Sequence, residues 1–159
     1  MLTTTCLHSR QHLTPARAQG DQTTIDQQFG PHAIGSVIRS EIGRRCPDIV
    51  RIASPLCRAR QTARVVQQTL GLPGLDILEV LSPEGDPLRA EQSISLHARD
   101  DVEELIVVSH MPLIASLQSW LEEGLLTTGE PFSLAEIRVL EAGVFAPGLG
   151  VRCGGFIPE

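Results

Sequence analysis

The run ELIVVS at residues 104–109 constrains the fold of this chain more than any other segment. It is a short, nearly continuous apolar stretch, which is typical of a strand buried on both faces. Such strands lie inside parallel sheets, because the crossover helices of a parallel sheet cover both of its faces. We therefore expect residues 104–109 to form an inner strand of a parallel sheet with helices on either side.

The rest of the chain alternates between strand-like and helix-like segments. Strands are predicted at 2–7, 48–53 and 76–81, with two more around a Gly/Pro turn in the tail from 135 to 157. Helices are predicted at 30–43, 54–71, 87–99 and 110–124, and a long loop at 9–28. Ser54 is the predicted N-cap of the second helix and Pro55 its first residue. This alternation predicts a layered α/β sheet in a single domain, residues 1–159, with a ligand site at the carboxyl ends of the strands.

Composition excludes several classes of function. All 13 positive charges are arginines, so the chain lacks the lysine that a P-loop or a pyridoxal enzyme requires. A net charge of −6, with one Trp and four Phe, argues against nucleic-acid binding, which depends on a basic face or on stacking side chains.

The remaining composition points to a cytoplasmic protein. No stretch approaches the roughly 18 apolar residues of a membrane helix, so we expect no membrane partner. Cysteines occur without CxxC pairs or zinc-ligand spacing and are expected to be reduced thiols: Cys6, Cys46, Cys57 and Cys153. We therefore predict neither a metal nor an organic cofactor.

Three chemically capable side chains follow predicted parallel strands. His8 ends the first strand region, Arg58 follows the second, and His110 follows the run at 104–109. A single histidine is usually structural or merely exposed. Because the carboxyl ends of parallel strands share one edge of the sheet, these three residues are expected to converge there.

The segments around these residues carry a family resemblance. TCLHS (5–9), SPLCRARQTA (54–63) and VVSHMPLI (107–114) resemble the signatures of the histidine phosphatase superfamily, which includes phosphoglycerate mutase-like proteins. The short chain and LSPEGDP (81–87) resemble its small phosphohistidine-phosphatase-like branch. The resemblance implies a three-layer sandwich, in which helices lie on both faces of a mostly parallel central sheet.

The same resemblance implies roles for the converging residues. His8 would be the nucleophile that forms a phosphohistidine, and His110 would stabilise the transferring phosphoryl group. Arg58 and His110 would bind the phosphate, with unpaired N–H groups at the start of the helix adding to the anion site. Glu84 is the nearest candidate general acid, and Asp86 is the second; both also fit an ordinary turn followed by a helix cap.

The first signature departs from the family pattern. The family has Arg-His-Gly or a close variant there, whereas this chain has Leu7, His8 and Ser9. Leucine cannot bind an oxyanion, although the Ser9 hydroxyl is able to donate a hydrogen bond to phosphate. Arginines that offer a replacement are Arg10, Arg17 and Arg60.

These residues leave three functions open. The first is a phosphatase acting on a phosphohistidine protein or a small phosphomonoester. The second is a pseudophosphatase that binds a phosphorylated partner or another anion without turnover, because of Leu7. The third, a metal hydrolase using His8 and His110, lacks a carboxylate cluster at ligand spacing. Cys57 lacks the CxxxxxR loop of cysteine phosphatases and is predicted to be a packing residue.

Overall fold

The computed structural model describes residues 2–8, 49–98, 102 and 104–157, of which residues 2–8, 49 and 50 are described by their backbone. The predicted loop at 9–28 and the predicted helix at 30–43 lie outside the described residues. Among the helices that are described, none is long and apolar enough to cross a bilayer.

Six strands of the described residues form one mixed sheet. They are β1 (Leu2–His8), β2 (Ile49–Ala53), β3 (Asp76–Ile77), β4 (Glu104–Ser109), β5 (Ile137–Ala142) and β6 (Val151–Phe156). Their spatial order is β3-β2-β4-β1-β5-β6. The first four in that order are mutually parallel, whereas β5 and β6 are antiparallel to their neighbours.

The prediction for residues 104–109 is confirmed. All six residues of β4 are buried, and β4 lies between β1 and β2 in the middle of the parallel part of the sheet. Both of its faces are covered, because alternate side chains of β4 enter two different core clusters. The continuous apolar run follows from this double burial.

In the described part of the chain, three helices cover the two faces of the sheet. Helix α1 (Cys57–Leu70) packs Ala59, Ala63 and Val66 against one face. Helices α2 (Pro87–Ser95) and α3 (Leu113–Glu123) pack on the opposite face, where their apolar residues join those of β2, β4 and β5. The predicted three-layer α/β sandwich is thereby confirmed.

The start of α1 differs from the prediction. The helix begins at Cys57, and its N-cap is Leu56 rather than Ser54, with no side-chain cap. Ser54 still belongs to the strand region, since its N–H donates to the Val108 carbonyl at 2.9 Å. The predicted end is confirmed: Gly71 caps the helix in the left-handed conformation, with φ of 67°.

Two further boundaries were predicted wrongly. The strand expected at 76–81 is limited to Asp76–Ile77, and Glu79–Leu81 forms a 3₁₀ turn that turns Leu81 into the core. Helix α2 ends at Ser95 rather than near residue 99. The helix then tightens into a turn, in which the N–H groups of His97 and Ala98 both donate to the Ile94 carbonyl.

Candidate active site

The strand register brings two of the three family-like segments side by side. His8 pairs with Ser109 at the parallel junction of β1 and β4, so the last residues of both strands lie at the same height. His110 follows Ser109 directly. On the other side of β4, Ala53 at the end of β2 pairs with Val108. Three parallel strands therefore end together at one edge of the sheet, with β4 in the centre.

His110 is held between β4 and α3. Only 1% of the residue is exposed, and its carbonyl oxygen accepts a 3.0 Å hydrogen bond from the N–H of Ile114 in the first turn of α3. Its backbone is thus constrained by the strand on one side and by the helix on the other. A buried imidazole at this position has little freedom to move, which suits a residue that positions charge.

Arg58 lies at the second position of α1 and is exposed at the sheet edge. The helix start is tied to the end of β4 through the bond from Ser54 N–H to the Val108 carbonyl. The first N–H groups of a helix have no intrahelical acceptor and carry a partial positive charge. Arg58 and the start of α1 therefore form a site suited to a tetrahedral oxyanion.

Arg60 lies elsewhere on the same helix. At about 100° per residue it is rotated about 200° from Arg58, on the exposed side of α1. That geometry does not favour Arg60 as a second arginine for the same anion. The other candidates, Arg10 and Arg17, and the candidate phosphate ligand Ser9 lie outside the described residues.

The loop that carries Glu84 is packed against the ends of β4 and α3. The Ser109 hydroxyl donates a 2.8 Å hydrogen bond to the carbonyl oxygen of Leu81. A Cβ at Gly85 would lie 2.2 Å from the Val80 carbonyl oxygen and 3.1 Å from Leu113 Cδ2, so this close packing requires glycine. Glu84 is itself exposed at the tip of the loop.

The two candidate acids differ in their contacts. Asp86 is the N-cap of α2, and its Oδ1 accepts a 3.0 Å hydrogen bond from the N–H of Leu88. Asp86 therefore has the capping role that the turn sequence allowed. Among the described residues, Glu84 makes no such capping hydrogen bond, so its carboxylate is available to bind a ligand.

Cys57 is exposed at the first position of α1, so the prediction that it is a packing residue is wrong. The apolar packing of this helix is supplied instead by Ala59, Ala63 and Val66. Within the described residues, no group of three or more His, Cys, Asp or Glu side chains is close enough to hold a metal ion.

Ser109 was not predicted as a site residue. Its sequence signal is a single hydroxyl at the end of an otherwise apolar run, directly before His110. Buried hydroxyls in apolar surroundings need a hydrogen-bond partner, and here the partner is the Leu81 carbonyl, directly before the loop that carries Glu84. For Leu7 and His8 the structure describes the backbone position, at the end of β1.

Solved structures with the same architecture were found across the full chain. The protein histidine phosphatase SixA in complex with tungstate superposes with a TM-score of 0.72 at 23% identity, covering 96% of this chain and 95% of that chain. The chain has the histidine phosphatase fold. The resemblance noted in the sequence is confirmed at this level.

Other proteins with the histidine phosphatase fold match more distantly. Phosphoglycerate mutase from Plasmodium falciparum has a TM-score of 0.63 at 15% identity, over 99% of this chain and 96% of its own. A mycobacterial glucosyl-3-phosphoglycerate phosphatase has 0.63 at 14%, over 95% and 96%. No protein-family model matches the chain, and no curated protein matches its sequence. At sequence identities of 14–23%, the similarity to these structures establishes the fold of the chain and nothing more specific.

Proposed function

We propose that this chain is a phosphatase that hydrolyses a phosphorylated substrate through a phosphohistidine intermediate on His8. The observation that carries the proposal is the register that pairs His8 with Ser109, because it sets the backbones of His8 and His110 at one strand edge. Arg58 and the start of α1 lie across β4 at that same edge. A nucleophile beside a cationic oxyanion site is the arrangement that phosphoryl transfer requires.

The reaction has two displacements at phosphorus. An imidazole nitrogen of His8 attacks the phosphorus, and the bond from phosphorus to the leaving atom breaks as that atom takes a proton from the Glu84 carboxyl. Water then attacks the phosphohistidine, the bond from phosphorus to the imidazole nitrogen breaks, and the protons of the water stay with the phosphate formed, while Glu84 regains its proton from solvent. Inorganic phosphate leaves, and His8 returns to its starting state.

Arg58 and His110 hold the charge of the transferring group. Negative charge is spread over three equatorial oxygens in the transition state, and fixed donors around those oxygens lower the barrier. The Ser9 hydroxyl is a further proposed phosphate ligand. Because side chains supply the positive charge, the proposed reaction uses no metal ion.

The substrate is a phosphohistidine protein or a small phosphomonoester. The structures with this fold include a protein histidine phosphatase and a glucosyl-3-phosphoglycerate phosphatase, so both substrate classes are compatible with it. Tungstate is a tetrahedral oxyanion like phosphate, and the SixA structure contains it. We expect tungstate to inhibit this protein by competing with substrate.

The alternative is a pseudophosphatase that binds a phosphorylated partner or another anion without turnover. Leu7 favours this alternative, because it stands where the first signature of the family has an arginine. Its backbone lies at the end of β1, directly before His8 and between Val108 of β4 and Ile137 of β5. An arginine there would donate charge-assisted hydrogen bonds, each contributing about 1.5–3 kcal/mol. Loss of a bidentate pair slows a reaction by about a hundredfold or more.

Hydrolysis of p-nitrophenyl phosphate tests the proposal. We expect turnover that survives EDTA, is inhibited by tungstate and is abolished by His8→Ala. His97→Ala is the matched control, because His97 follows the far end of α2 and its Nδ1 contacts the Ser93 carbonyl there. Phosphate binding without turnover by the unaltered protein would support the pseudophosphatase instead, and turnover by His8→Ala would exclude the proposed nucleophile.

A further inference from the structure

Charge is distributed unevenly along this acidic chain. The chain carries a net charge of −6, yet residues 49–75 contain four arginines and neither Asp nor Glu. This segment comprises β2, α1 and the turn that follows α1. The surface of α1 is therefore positive in a protein that is negative elsewhere.

The positive charge of α1 is concentrated on its outer surface. Cys57, Arg60, Arg64 and Gln68 are exposed and follow each other at intervals of three and four residues, so they line one side of the helix; we name these four residues the α1 ridge. In the part of the chain that the structure describes, no carboxylate lies within ion-pair distance of Arg60 or Arg64. By contrast, Arg138 and Arg152 each contact two carboxylates.

The α1 ridge begins at the candidate active site. Arg58 is at the helix start, and Arg60 and Arg64 are about 3 Å and about 9 Å farther along the helix axis. They are rotated away from Arg58, so they face outward from the sheet edge rather than into the anion site. A small phosphate ester at Arg58 would not extend to Arg64, whereas a protein carrying the phosphoryl group would cover the ridge.

We propose that the α1 ridge docks the acidic surface of a phosphoprotein whose phosphoryl group is held at Arg58. The inference rests on the proposed function, because that function places the phosphoryl group at the start of α1. Arg60 and Arg64 pair with carboxylates spaced one helical turn apart on the partner. The acidic remainder of this chain repels the same partner, so the ridge also sets its orientation.

The partner is a protein rather than a nucleic acid. Sequence-independent nucleic-acid binding depends on an extended basic surface, often with aromatic stacking residues, and this chain has a net charge of −6 and 3% aromatic residues. Two arginines one turn apart match pairs of carboxylates on a protein helix. A single-stranded oligonucleotide is therefore the comparison ligand in the binding test.

Binding of labelled peptides tests the docking surface without requiring turnover. The probes are a helix-forming peptide with glutamates at i, i+4 spacing and the same peptide with glutamine at those positions, measured by fluorescence anisotropy. The test variant is Arg64→Glu, and the matched control is Arg89→Glu, which reverses an exposed arginine on α2, across the sheet. Hydrolysis of p-nitrophenyl phosphate is measured on the same preparations.

We expect the glutamate peptide to bind the unaltered protein and Arg89→Glu alike, more tightly than the glutamine peptide does. Arg64→Glu should weaken that binding by about three- to tenfold. Added salt should remove the difference, because exposed charges are screened at about 1 M ionic strength. Turnover of p-nitrophenyl phosphate should be the same in Arg64→Glu as in the unaltered protein.

Three results would overturn the docking proposal: no preference for glutamate over glutamine, equal losses in Arg64→Glu and Arg89→Glu, or tighter binding of a single-stranded oligonucleotide than of the glutamate peptide. Each leaves the phosphatase assignment standing if p-nitrophenyl phosphate is hydrolysed. Ridge-dependent peptide binding in a protein without turnover supports the docking surface and contradicts the phosphatase assignment.

Discussion

The hydroxyl of Ser109 donates a 2.8 Å hydrogen bond to the carbonyl oxygen of Leu81, and both residues are fully buried. Ser109 is the last residue of β4 and precedes His110. Leu81 ends the 3₁₀ turn that leads into the loop with Glu84. One hydrogen bond therefore fixes the position of the loop carrying the proposed acid relative to the strand carrying a proposed phosphate ligand.

Replacing Ser109 by alanine should destabilise the fold. The Leu81 carbonyl would stay buried without that donor, at a cost of about 1–3 kcal/mol in the free energy of unfolding. Urea denaturation measures this cost. Ser82→Ala is the control, since the Ser82 hydroxyl makes a similar 2.8 Å bond to the Glu79 carbonyl in an exposed position, and its loss should cost below about 0.5 kcal/mol. Equal costs would contradict the structural role assigned to Ser109.

Removing the Glu84 carboxyl should slow the reaction in proportion to how much help the leaving group needs. Glu84→Gln should lower kcat for an alkyl phosphate by about 10²–10⁴, while p-nitrophenyl phosphate, whose leaving group is a good one, should be affected little. Steady-state kinetics with both substrates measures the difference. An equal loss on both would assign Glu84 a role other than proton donation.

Asp86 should behave differently from Glu84. Asp86→Ala removes the N-cap of α2 and should lower the free energy of unfolding by about 1 kcal/mol. Its kinetics on both phosphate esters should be unchanged. A kinetic loss confined to the alkyl phosphate in Asp86→Ala would exchange the roles of these two residues.

An arginine at position 7 should raise activity. Leu7→Arg restores the donor that the first signature lacks, and we expect kcat/KM to increase by up to about a hundredfold. Leu7→Met, which has a similar size and no donor, is the control and should show no gain. If Leu7→Arg shows no gain or a loss, another group of the chain already fills this part of the phosphate site.

Arg138 should be a major determinant of stability. It is 3% exposed, donates to Glu136 Oε1 at 2.5 Å and to Gln118 Oε1 at 2.8 Å, and lies 3.8 Å above the Phe132 ring. Arg138→Met would leave the buried Glu136 without its counter-charge, at a cost of about 3–5 kcal/mol. The exposed Arg152→Met is the control and should cost about 1 kcal/mol or less by the same denaturant titration. Comparable costs would contradict this ranking.

The stabilising effect of Glu130 should depend on pH. The hydrogen bond from Arg152 and the charges of Arg138 and Arg152 hold the pKa of Glu130 below its ordinary value of 4.5. A lowered pKa contributes stability that is present above pH 4.5 and is lost as the pH falls through the lower folded-state value. The Tm difference between the unaltered protein and Glu130→Gln should therefore be largest near neutral pH and disappear in acid. A Tm difference that stays the same at every pH would mean that the ion pairs of Glu130 do not contribute to the stability.

Local sequence signals predicted the central elements of this fold correctly. The apolar run of β4 and the glycine that ends α3 at position 124 are short-range patterns, and each lies where it was expected. Parallel strand order also predicted that the ends of β1, β2 and β4 lie at one edge of the sheet. The start of α1 was wrong because the N–H of Ser54 is bonded to the Val108 carbonyl of β4. The length of β3 was wrong because Glu79–Leu81 forms a 3₁₀ turn with local hydrogen bonds and a buried Leu81.

By itself the sequence determined the α/β class and the inner strand, since periodicity and turn residues act over a few positions, and it supplied the candidates for the site residues. Only the tertiary structure decided how two residues of the same type differ in burial and in their contribution to stability. Arg138 and Arg152 both lie in tail strands, but β5 is an inner strand and β6 is at the edge, so one arginine is buried and the other is exposed. The bond from Ser109 to Leu81 likewise joins residues 28 positions apart, a distance in sequence over which no local pattern extends.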